Sequence, residues 1–562
     1  MPISNIRTSM ALLSMMSVAC GDDTGFQSAT STSGTSSVST SSGGTSNSAT
    51  DGALTTIQNM ESNAEPPSPT SGEDSTEGVK IDVGTDRPPP LDICKVQDQD
   101  GVVICSDKMP IDTFDPVVEW EWWGQGEFIQ SSVTPLVANF TDDNADGEVD
   151  LCDDPDILVV AFGFNAMGRL FLLDGATGAV HYEFEGFVDH ASTPAIGDID
   201  GDGLVEVVTS LPQGNLLGYR AVAFENTGTI RWVSSAAASD QDGWGSTTSI
   251  ADVDNDGRVE IVIANLLLDA DGELLMTFPL PEIVPSGSSY AMPVLADLDG
   301  DGDLEILYGR AAYHHDGSIH YLVPEIQRSG FSHVADLDGD GAPDVLVTTQ
   351  TGISLLKADG TVVYANLRPN GVGVQNTNWV HPAAVHDFMG DGGRQFAMGS
   401  YNIHGAYSPD AGILWTADAT KSSRAAGTSA FDFLGDGTAE VIYMDDTSLR
   451  IFHGTDGTVL MDTPQSPWGY FRYPSVADVD NDGAAEILVV GSTSDPTLRI
   501  FGDATDGWVS ARRIWNQHSY HVTNVREDGT IPQMEKPNWQ GLNTFRAQAQ
   551  LTDDGGVCLP PR

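Results

Sequence analysis

The sequence predicts an all-β fold: a β-propeller of eight four-stranded blades (alternatively seven) with calcium-binding loops, preceded by a disordered tether. Three observations carry this prediction. One carboxylate-rich loop recurs eight times, four short β-rich runs accompany each copy, and successive copies begin 39 to 56 residues apart. Repeats of about 40 to 50 residues with four strands each are typical of propeller blades.

The third copy shows the loop most completely. Asp252, Asp254 and Asp256 stand at alternate positions, Gly257 permits a tight turn, and Glu260 adds a fourth carboxylate. Side-chain oxygens at the first, third, fifth and ninth loop positions, with a main-chain carbonyl at the seventh, suit a hard cation that prefers oxygen ligands. The expected ion is Ca²⁺.

Six copies have a complete or nearly complete ligand set and predict about six calcium sites. Their ligands are Asp142, Asn144, Asp146 and Asp150; Asp198, Asp200, Asp202 and Glu206; Asp252, Asp254, Asp256 and Glu260; Asp297, Asp299, Asp301 and Glu305; Asp336, Asp338, Asp340 and Asp344; and Asp478, Asp480, Asp482 and Glu486. The sixth copy has Met389 and Gln395, and the seventh has Leu434, at positions where oxygen ligands belong. We expect these two loops to be weak or empty.

Each repeat also contains four strand-like runs separated by turn residues. In the fourth repeat, apolar runs precede and follow the loop, and Asp316-Gly317 forms a further turn. The same turn signal recurs in register, for example at Asp271-Gly272. Such Asp-Gly turns between β-rich runs predict hairpins. The run Val117–Trp122 lies before the first repeat and could close the ring as the last strand of the final blade.

The repeated loop, followed by an apolar strand, resembles the FG-GAP or VCBS-type repeats, whose relatives include the integrin alpha-subunit propellers. The resemblance covers about residues 115 to 530 and rests on the pattern Asp-x-Asp-x-Asp-Gly-x-x-Asp/Glu. It implies calcium loops between the first two strands of each blade, on the face opposite the usual ligand face. The sequence departs from the integrin pattern in having eight loops.

The N-terminal region predicts export. Residues 1–20 combine Arg7, an apolar run and small residues before Cys20, which is similar to a bacterial lipoprotein signal. Cys20 would carry the lipid, with ordinary signal cleavage or an uncleaved tail as the alternatives, and the protein would be anchored at the outer membrane or cell surface. Residues 21–90 are rich in Ser, Thr and Gly and predict a disordered tether.

The remaining four cysteines suggest disulfides in an exported protein. We expect Cys94 to pair with Cys105 within a small hairpin segment, residues 91–115, and Cys152 to pair with Cys558; four cysteines allow three connectivities. The propeller would span residues 116–513. Residues 514–562 break the repeat and are interpreted as a cap, in which His518 and His521 are read as structural in preference to a metal pair.

The composition excludes some partners. The chain has 81 acidic and 25 basic side chains and a formal net charge of −56. Phosphate backbones and anionic lipid surfaces would be repelled, which argues against nucleic acid and against any membrane contact other than a lipid anchor. Bound Ca²⁺ would offset part of the charge, so we expect the ion to contribute to folding.

Residues eight positions before each loop are expected at the rim opposite the calcium loops. Arginines and aromatic side chains at this position, and close to it, form a candidate ligand face for sugars or carboxylates. Its members are His190, Trp244, Arg328, Trp379, His381, Arg424, Tyr470 and Arg472. The alternative is that these side chains plug the central funnel.

Two functions follow from these features. The first is a non-enzymatic, calcium-binding surface module that adheres to an extracellular protein or carbohydrate, as the integrin-like resemblance implies. The second is a polysaccharide lyase similar to rhamnogalacturonan lyases, with His190, His381, Arg328 and Arg424 as base and carboxylate clamps. Because the loops explain stability without catalysis, the binding module is favoured.

Overall fold

The computed structural model describes most of the chain after residue 93. The described residues are 94–96, 103–104, 113–164, 167–212, 220–238, 246–279, 292–327, 330–369, 379–400, 402–420, 426–466, 472–551 and 557–559. The predicted signal peptide, Cys20 and the predicted tether lie outside these residues. Within the described part, no helix is long and apolar enough to span a membrane.

The first four blades begin after two leading strands, β1 (Val103–Ile104) and β2 (Pro116–Trp122). Blade 1 contains β3 (Gln130–Ser131), β4 (Leu136–Ala138), β5 (Asp156–Phe162), β6 (Met167–Asp174), β7 (Val180–Glu183) and β8 (Val188–Asp189). Blade 2 contains β9 (Ala195–Gly197), β10 (Glu206–Ser210), β11 (Ala221–Phe224) and β12 (Ile230–Val233). Blade 3 contains β13 (Thr248–Ala251), β14 (Glu260–Ile263), β15 (Leu266–Asp269) and β16 (Leu274–Thr277). Blade 4 contains β17 (Val294–Ala296), β18 (Glu305–Leu307), β19 (Ala311–Tyr313) and β20 (Ile319–Leu322).

The last four blades repeat the same antiparallel meander. Blade 5 contains β21 (Phe331–Ala335), β22 (Asp344–Thr348), β23 (Ile353–Lys357) and β24 (Val362–Leu367). Blade 6 contains β25 (Ala384–His386), β26 (Gln395–Ser400), β27 (Ile403–Tyr407) and β28 (Ile413–Asp418). Blade 7 contains β29 (Thr428–Phe431), β30 (Glu440–Met444), β31 (Ser448–Phe452) and β32 (Val459–Pro464). Blade 8 contains β33 (Ser475–Ala477), β34 (Glu486–Val490) and β35 (Leu498–Asp503), and its fourth strand is β2.

The ring is closed by the strand that precedes the first blade. β2 pairs antiparallel with β35, with Pro116 opposite Asp503 and Trp122 opposite Leu498. This joins the two ends of the propeller through main-chain hydrogen bonds. The prediction that Val117–Trp122 completes the final blade is confirmed, as is the prediction of eight blades.

Burial follows the position of a strand within its blade. The second strands β10, β14, β22, β30 and β34 are buried at every residue, because each sheet packs between two neighbouring sheets. The fourth strands, such as β7 and β16, expose much of their length to solvent. Continuous apolar runs therefore mark the second strands, whereas the fourth strands mix apolar and polar residues.

The turn glycines that recur in the sequence also join adjacent blades. Trp232 on the fourth strand of blade 2 donates a hydrogen bond from Nε1 to the Ala270 carbonyl oxygen at 2.8 Å, and its ring covers Gly272. Trp415 covers Gly457 in the same way and donates to the Gly454 carbonyl oxygen at 2.6 Å. The glycine is needed both for the turn and for the close approach of the ring.

Replacing Gly272 with alanine is expected to destabilise the propeller by about 2 to 4 kcal/mol. Gly272 has φ of +79°, and a Cβ atom there would lie 2.5 Å from Cε3 of Trp232. Chemical denaturation in calcium measures the loss. Gly126→Ala is the matched control, because Gly126 has φ of +64° but open space around it. Equal stability of Gly272→Ala and the control would contradict the proposed role of the tryptophan contact.

The C-terminal segment, residues 511–551, lies against the innermost strands of several blades. Trp515 exchanges main-chain hydrogen bonds with Val137 in blade 1 at 2.9 and 3.0 Å, and Phe545 exchanges them with Val385 in blade 6 at 2.9 and 3.1 Å. Because one segment reaches inner strands of blades on different sides of the ring, it occupies the central channel. Its other elements are the 3-10 helices Val522–Asn524 and Asn538–Gln540 and the strand β36 (Gln550–Leu551), and the strand β37 (Val557–Leu559) comes after it.

The cysteine pairing differs from the one we favoured. Cys94 forms a disulfide with Cys152, so the predicted pairings of Cys94 with Cys105 and of Cys152 with Cys558 are wrong. The insertion that carries Cys152 runs alongside Cys94, and Leu151 N donates to the Cys94 carbonyl oxygen at 3.0 Å. Cys105 lies outside the described residues. β1 and β37 pair in parallel with Val103 opposite Cys558, which brings the two backbone segments together.

Candidate calcium loops and the opposite face

The third loop shows how the backbone orients its carboxylates. It begins directly after β13, and Asp252 accepts the Asp256 N–H at Oδ1 (3.1 Å) and the Gly257 N–H at Oδ2 (2.8 Å). Glu260 opens β14 and accepts the Val253 N–H at Oε2, at 2.9 Å. The first and last side chains are thus fixed by the loop itself, and Oε1 of Glu260 remains for another partner.

The same arrangement recurs in the other loops. In five of them, the closing carboxylate at the start of the second strand accepts the N–H of the residue that follows the first aspartate. The pairs are Ile199 N with Glu206, Leu298 N with Glu305, Leu337 N with Asp344, Phe433 N with Glu440, and Val479 N with Glu486, at 2.7 to 3.1 Å. The sequence repeat therefore corresponds to a repeated geometry.

Several carboxylate oxygens in these loops are buried without a hydrogen-bond donor among the described residues. They include Asp254 Oδ1, Glu440 Oε1 and Asp478 Oδ1. A buried, unpartnered carboxylate is costly unless a cation or donor compensates it. One oxygen from each of Asp252, Asp254 and Glu260 lies within 4.8 Å of the others. The donor set of several carboxylates fits Ca²⁺.

Burial shifts the acidity of these groups. It raises the pKa of Glu260 to about 8, with further repulsion from Asp254, Asp252 and Asp256. Burial likewise raises the pKa of Glu206 to about 8, reinforced by the neighbouring loop aspartates. Without a cation, these carboxyl groups are therefore easier to protonate than in water. A divalent ion would reverse this preference, because it binds the ionised form.

The first loop differs from the others in the side chain that closes it. Asp142 accepts the Gly147 N–H at Oδ2 (2.9 Å), as in the other loops. Asp153, however, accepts the Asp143 N–H at Oδ1, at 3.0 Å, and its side chain is buried. It stands at the twelfth position from Asp142, the closing position of an EF-hand loop. The sequence analysis missed Asp153, although this spacing could have found it.

Asp156 takes the position that closes the loops of other blades. It opens β5, and its Oδ2 accepts the Phe140 N–H at 2.9 Å. The residue that directly follows β4 is Asn139, three residues before the predicted first ligand. The predicted first loop is therefore an insertion between Asn139 and Asp156. These two residues correspond to the first and the closing loop residues of the other blades.

The sixth loop has donors where a cation would need acceptors. Gln395 accepts the Phe388 N–H at Oε1 (2.7 Å), and its Nε2 faces Asp391 Oδ1 at 3.3 Å. Nη1 of Arg394 lies 4.0 Å from Asp387 Oδ2. The Gln395 amide thus supplies a hydrogen-bond donor to Asp391, and the Arg394 guanidinium supplies a positive charge near Asp387. This geometry gives a physical reason for the expectation that the loop is weak or empty.

The fifth and seventh loops vary the pattern in different ways. In the fifth, Lys357 Nζ lies 2.6 Å from Asp338, 3.1 Å from Asp340 and 3.0 Å from Asp344, so one ammonium group offsets part of the negative charge of the cluster. In the seventh, Leu434 replaces one ligand, but the closing Glu440 keeps a buried, unpartnered oxygen. The seventh loop therefore retains more of the site than its sequence indicates.

The candidate ligand face is largely buried where the structure describes it. Trp379 and His381 have no exposed surface, and Arg472 is 1% exposed and pairs with Asp446. His381 Nδ1 donates to the Ala426 carbonyl oxygen at 2.9 Å, and burial lowers its pKa to about 4. Trp244, Arg328, Arg424 and Tyr470 lie outside the described residues.

His190 keeps a small exposed area at this face. Its side chain is 15% exposed, its Nδ1 lies 3.5 Å from Asp189 Oδ1, and its ring lies 4.6 Å from that of Phe162. The structure therefore does not bring His190 and His381 together as two accessible groups.

The two histidines of the C-terminal segment are buried in the channel. His521 lies beside Glu535, with Nε2 at 2.5 Å from its Oε1, and Nδ1 donates to the Ser519 carbonyl oxygen at 2.9 Å. Burial lowers the pKa of His518 well below its usual value, as do the charge of Arg546 and the nearby His333. These surroundings fit the structural interpretation of both side chains.

Comparison with known proteins identifies the type of repeat. Residues 432–489, which include the whole of the seventh and eighth loops, match the FG-GAP-like repeat family. The fold is an FG-GAP-type β-propeller. This confirms the predicted resemblance. A comparison with curated proteins finds no significant match.

Three solved structures that align with this propeller differ in how closely they match it. The biofilm matrix protein Bap1 of V. cholerae is 19% identical with a TM-score of 0.69, over 80% of this chain and 100% of that chain. The exotype rhamnogalacturonan lyase YesX is 16% identical with a TM-score of 0.49, over 81% and 83%. A rhamnogalacturonan lyase of Bacillus licheniformis is 15% identical with a TM-score of 0.48, over 79% and 81%. At these identities the likeness concerns the fold.

Proposed function

We propose that this chain is a calcium-binding surface protein that adheres to an extracellular protein or carbohydrate and has no catalytic role. The observation that carries the calcium proposal is that buried oxygens of Asp254 in the third loop and Asp478 in the eighth have no hydrogen-bond partner among the described residues. A cation is the partner that these acceptors require. We propose about six such sites, in the first five loops and the eighth.

An extracellular location is supported by chemistry as well as by the signal-like N-terminus. The Cys94–Cys152 disulfide requires an oxidising compartment. Calcium loops of extracellular modules work at about 10⁻⁴ to 10⁻³ M, a concentration found outside cells. We propose attachment through a lipid on Cys20 at the outer membrane or cell surface, with the acidic chain held off the membrane by residues 21–90.

Among the described residues considered for a lyase site, His381 cannot reach a substrate. The hypothetical general base His381 is fully buried, and its Nδ1 is engaged with a carbonyl group. The nearby Arg472 is paired with Asp446 and is 1% exposed. A lyase needs a base and a carboxylate clamp that reach the substrate. The fold shared with Bap1, a biofilm matrix protein, is compatible with adhesion in an extracellular matrix.

The test uses the purified chain in calcium and a panel of immobilised acidic and neutral polysaccharides. We expect calcium-dependent retention on at least one polymer and a flat ultraviolet absorbance from unsaturated uronate ends. A steady rise in absorbance that Arg328→Ala abolishes would instead establish a polysaccharide lyase. Arg258→Ala, at an exposed position within the third loop, is the matched control. Absence of retention on every polymer would direct the search to protein ligands and would remove carbohydrate from the proposal.

A further inference from the structure

The fourth loop differs from the others in having two histidines beside its carboxylates. His314 directly follows β19, and His320 lies in β20. One ligand atom from each of Asp299, Glu305, His314 and His320 lies within 4.8 Å of the other three. We propose that this cluster binds a divalent transition-metal ion, with Zn²⁺ as its best match, through two imidazoles and two carboxylates. The proposal goes beyond calcium binding and concerns this loop alone, where Zn²⁺ would take the place of the proposed Ca²⁺ because Asp299 and Glu305 belong to both ligand sets.

Glu305 is the first observation that points to a bound ion. Its side chain has no exposed surface, and Oε2 accepts the Leu298 N–H at 2.7 Å. The second oxygen, Oε1, accepts no hydrogen bond within the described part of the chain and lies 2.9 Å from His314 Nδ1. A buried carboxylate oxygen directed at an imidazole nitrogen is well placed to share a metal ion with it.

The orientation of His320 is the second observation. Its Nε2 lies 2.9 Å from the Ala358 carbonyl oxygen in blade 5. Since a carbonyl only accepts, Nε2 carries the proton, and Nδ1 of the neutral ring has a free lone pair. That nitrogen lies 3.9 Å from Asp299 Oδ2. Metal-binding histidines commonly donate their other ring N–H to a carbonyl in this way.

The ligand types select the metal. Ca²⁺ prefers oxygen ligands, whereas imidazole nitrogen suits Zn²⁺ and other first-row metals. The residue that pairs with the closing carboxylate is Asp269 in blade 3 and Lys357 in blade 5, so the two-histidine arrangement does not belong to the loop pattern. In blade 1, His181 occupies the position that corresponds to His320, but Asp174 occupies the position that corresponds to His314. The fourth loop thus combines both nitrogen ligands.

The test measures Zn²⁺ bound by the full chain at equilibrium in excess calcium. We expect one tightly bound Zn²⁺ per chain, and X-ray absorption at the zinc edge should show two imidazole ligands. His314→Ala and His320→Ala should each weaken this site by at least about 10-fold. His453→Ala is the matched control, because His453 follows the third strand of blade 7 but its Nδ1 accepts from Thr455 Oγ1 at 2.8 Å.

The outcomes separate clearly. Absence of bound zinc in the wild-type chain, or a zinc ion with oxygen ligands alone, would overturn the proposal. Unchanged zinc affinity in both histidine variants would do the same. The X-ray absorption spectrum is taken on the wild-type chain, so it tests the proposal even if a histidine variant folds poorly. Calcium binding at the other loops can fail or succeed independently of either result.

Discussion

A chelator is expected to lower the melting temperature of this propeller by roughly 10 °C relative to the protein in about 10 mM calcium. With a dissociation constant of about 10⁻⁴ to 10⁻³ M, each site contributes about 1.4 to 2.7 kcal/mol at that concentration. About six sites together therefore contribute roughly 8 to 16 kcal/mol to the free energy of unfolding. The melting temperature of a propeller of this size falls by about 1 °C for each kcal/mol that is lost. Calorimetry with calcium and with chelator measures the difference.

Two variants locate the effect within the loops. Asp252→Asn removes a charge from the third loop, where Asp252 accepts two backbone N–H groups, so it should reduce the calcium-dependent shift. Asp387→Asn makes the same change in the sixth loop, where Arg394 and Gln395 already supply donors, so it should leave the shift unchanged. An identical melt with and without calcium would contradict the calcium proposal, and equal effects of the two variants would contradict the assignment of individual loops.

The calcium-free protein is expected to become less stable as the pH rises from about 5 to about 8. Burial, reinforced by neighbouring aspartates, raises the pKa of Glu206 and Glu260 from 4.5 to about 8, and that of Asp478 from 3.8 to about 7. Between the unfolded and folded values, the unfolded chain releases protons that the folded chain still holds. Raising the pH through this window therefore favours unfolding.

Calcium should remove this pH dependence, because the ion stabilises the ionised carboxylates in the folded state. Melting curves at several pH values, recorded with chelator and with calcium, give the change of melting temperature with pH in each condition. Glu260→Gln keeps the acceptor for the Val253 N–H but cannot ionise, so it should make the slope in chelator shallower. A calcium-free protein that gains stability between pH 5 and pH 8 would show that these carboxyl groups do not control the transition.

The repeated parts of this fold could be predicted because each blade has the same local requirements. A carboxylate loop, an apolar second strand and an Asp-Gly turn recur, and a period of 39 to 56 residues accommodates four strands. Ring closure by Val117–Trp122 was also predictable, since the last repeat supplies only three strands and lacks its fourth. The pattern did not show that turn glycines such as Gly272 receive a tryptophan from the neighbouring blade.

The irregular parts could not be predicted, because they depend on contacts between distant segments. The insertion in the first loop moves the closing position to Asp156 and brings Cys152 to Cys94, which spacing alone did not indicate. Residues at the candidate ligand face were expected at a rim, but Tyr473 next to Arg472 donates to the His518 carbonyl oxygen in the C-terminal segment. A segment that occurs once has no period, so its place in the channel left no pattern in the sequence.

The most direct test of the central claim is the number of calcium ions bound per chain at saturation, measured by equilibrium dialysis of the wild-type protein. The loop geometry predicts about six, one for each loop whose carboxylate set is complete, with the sixth loop empty. Binding of no calcium, or of a single ion, would contradict the claim that the repeated loops are calcium sites that stabilise the propeller.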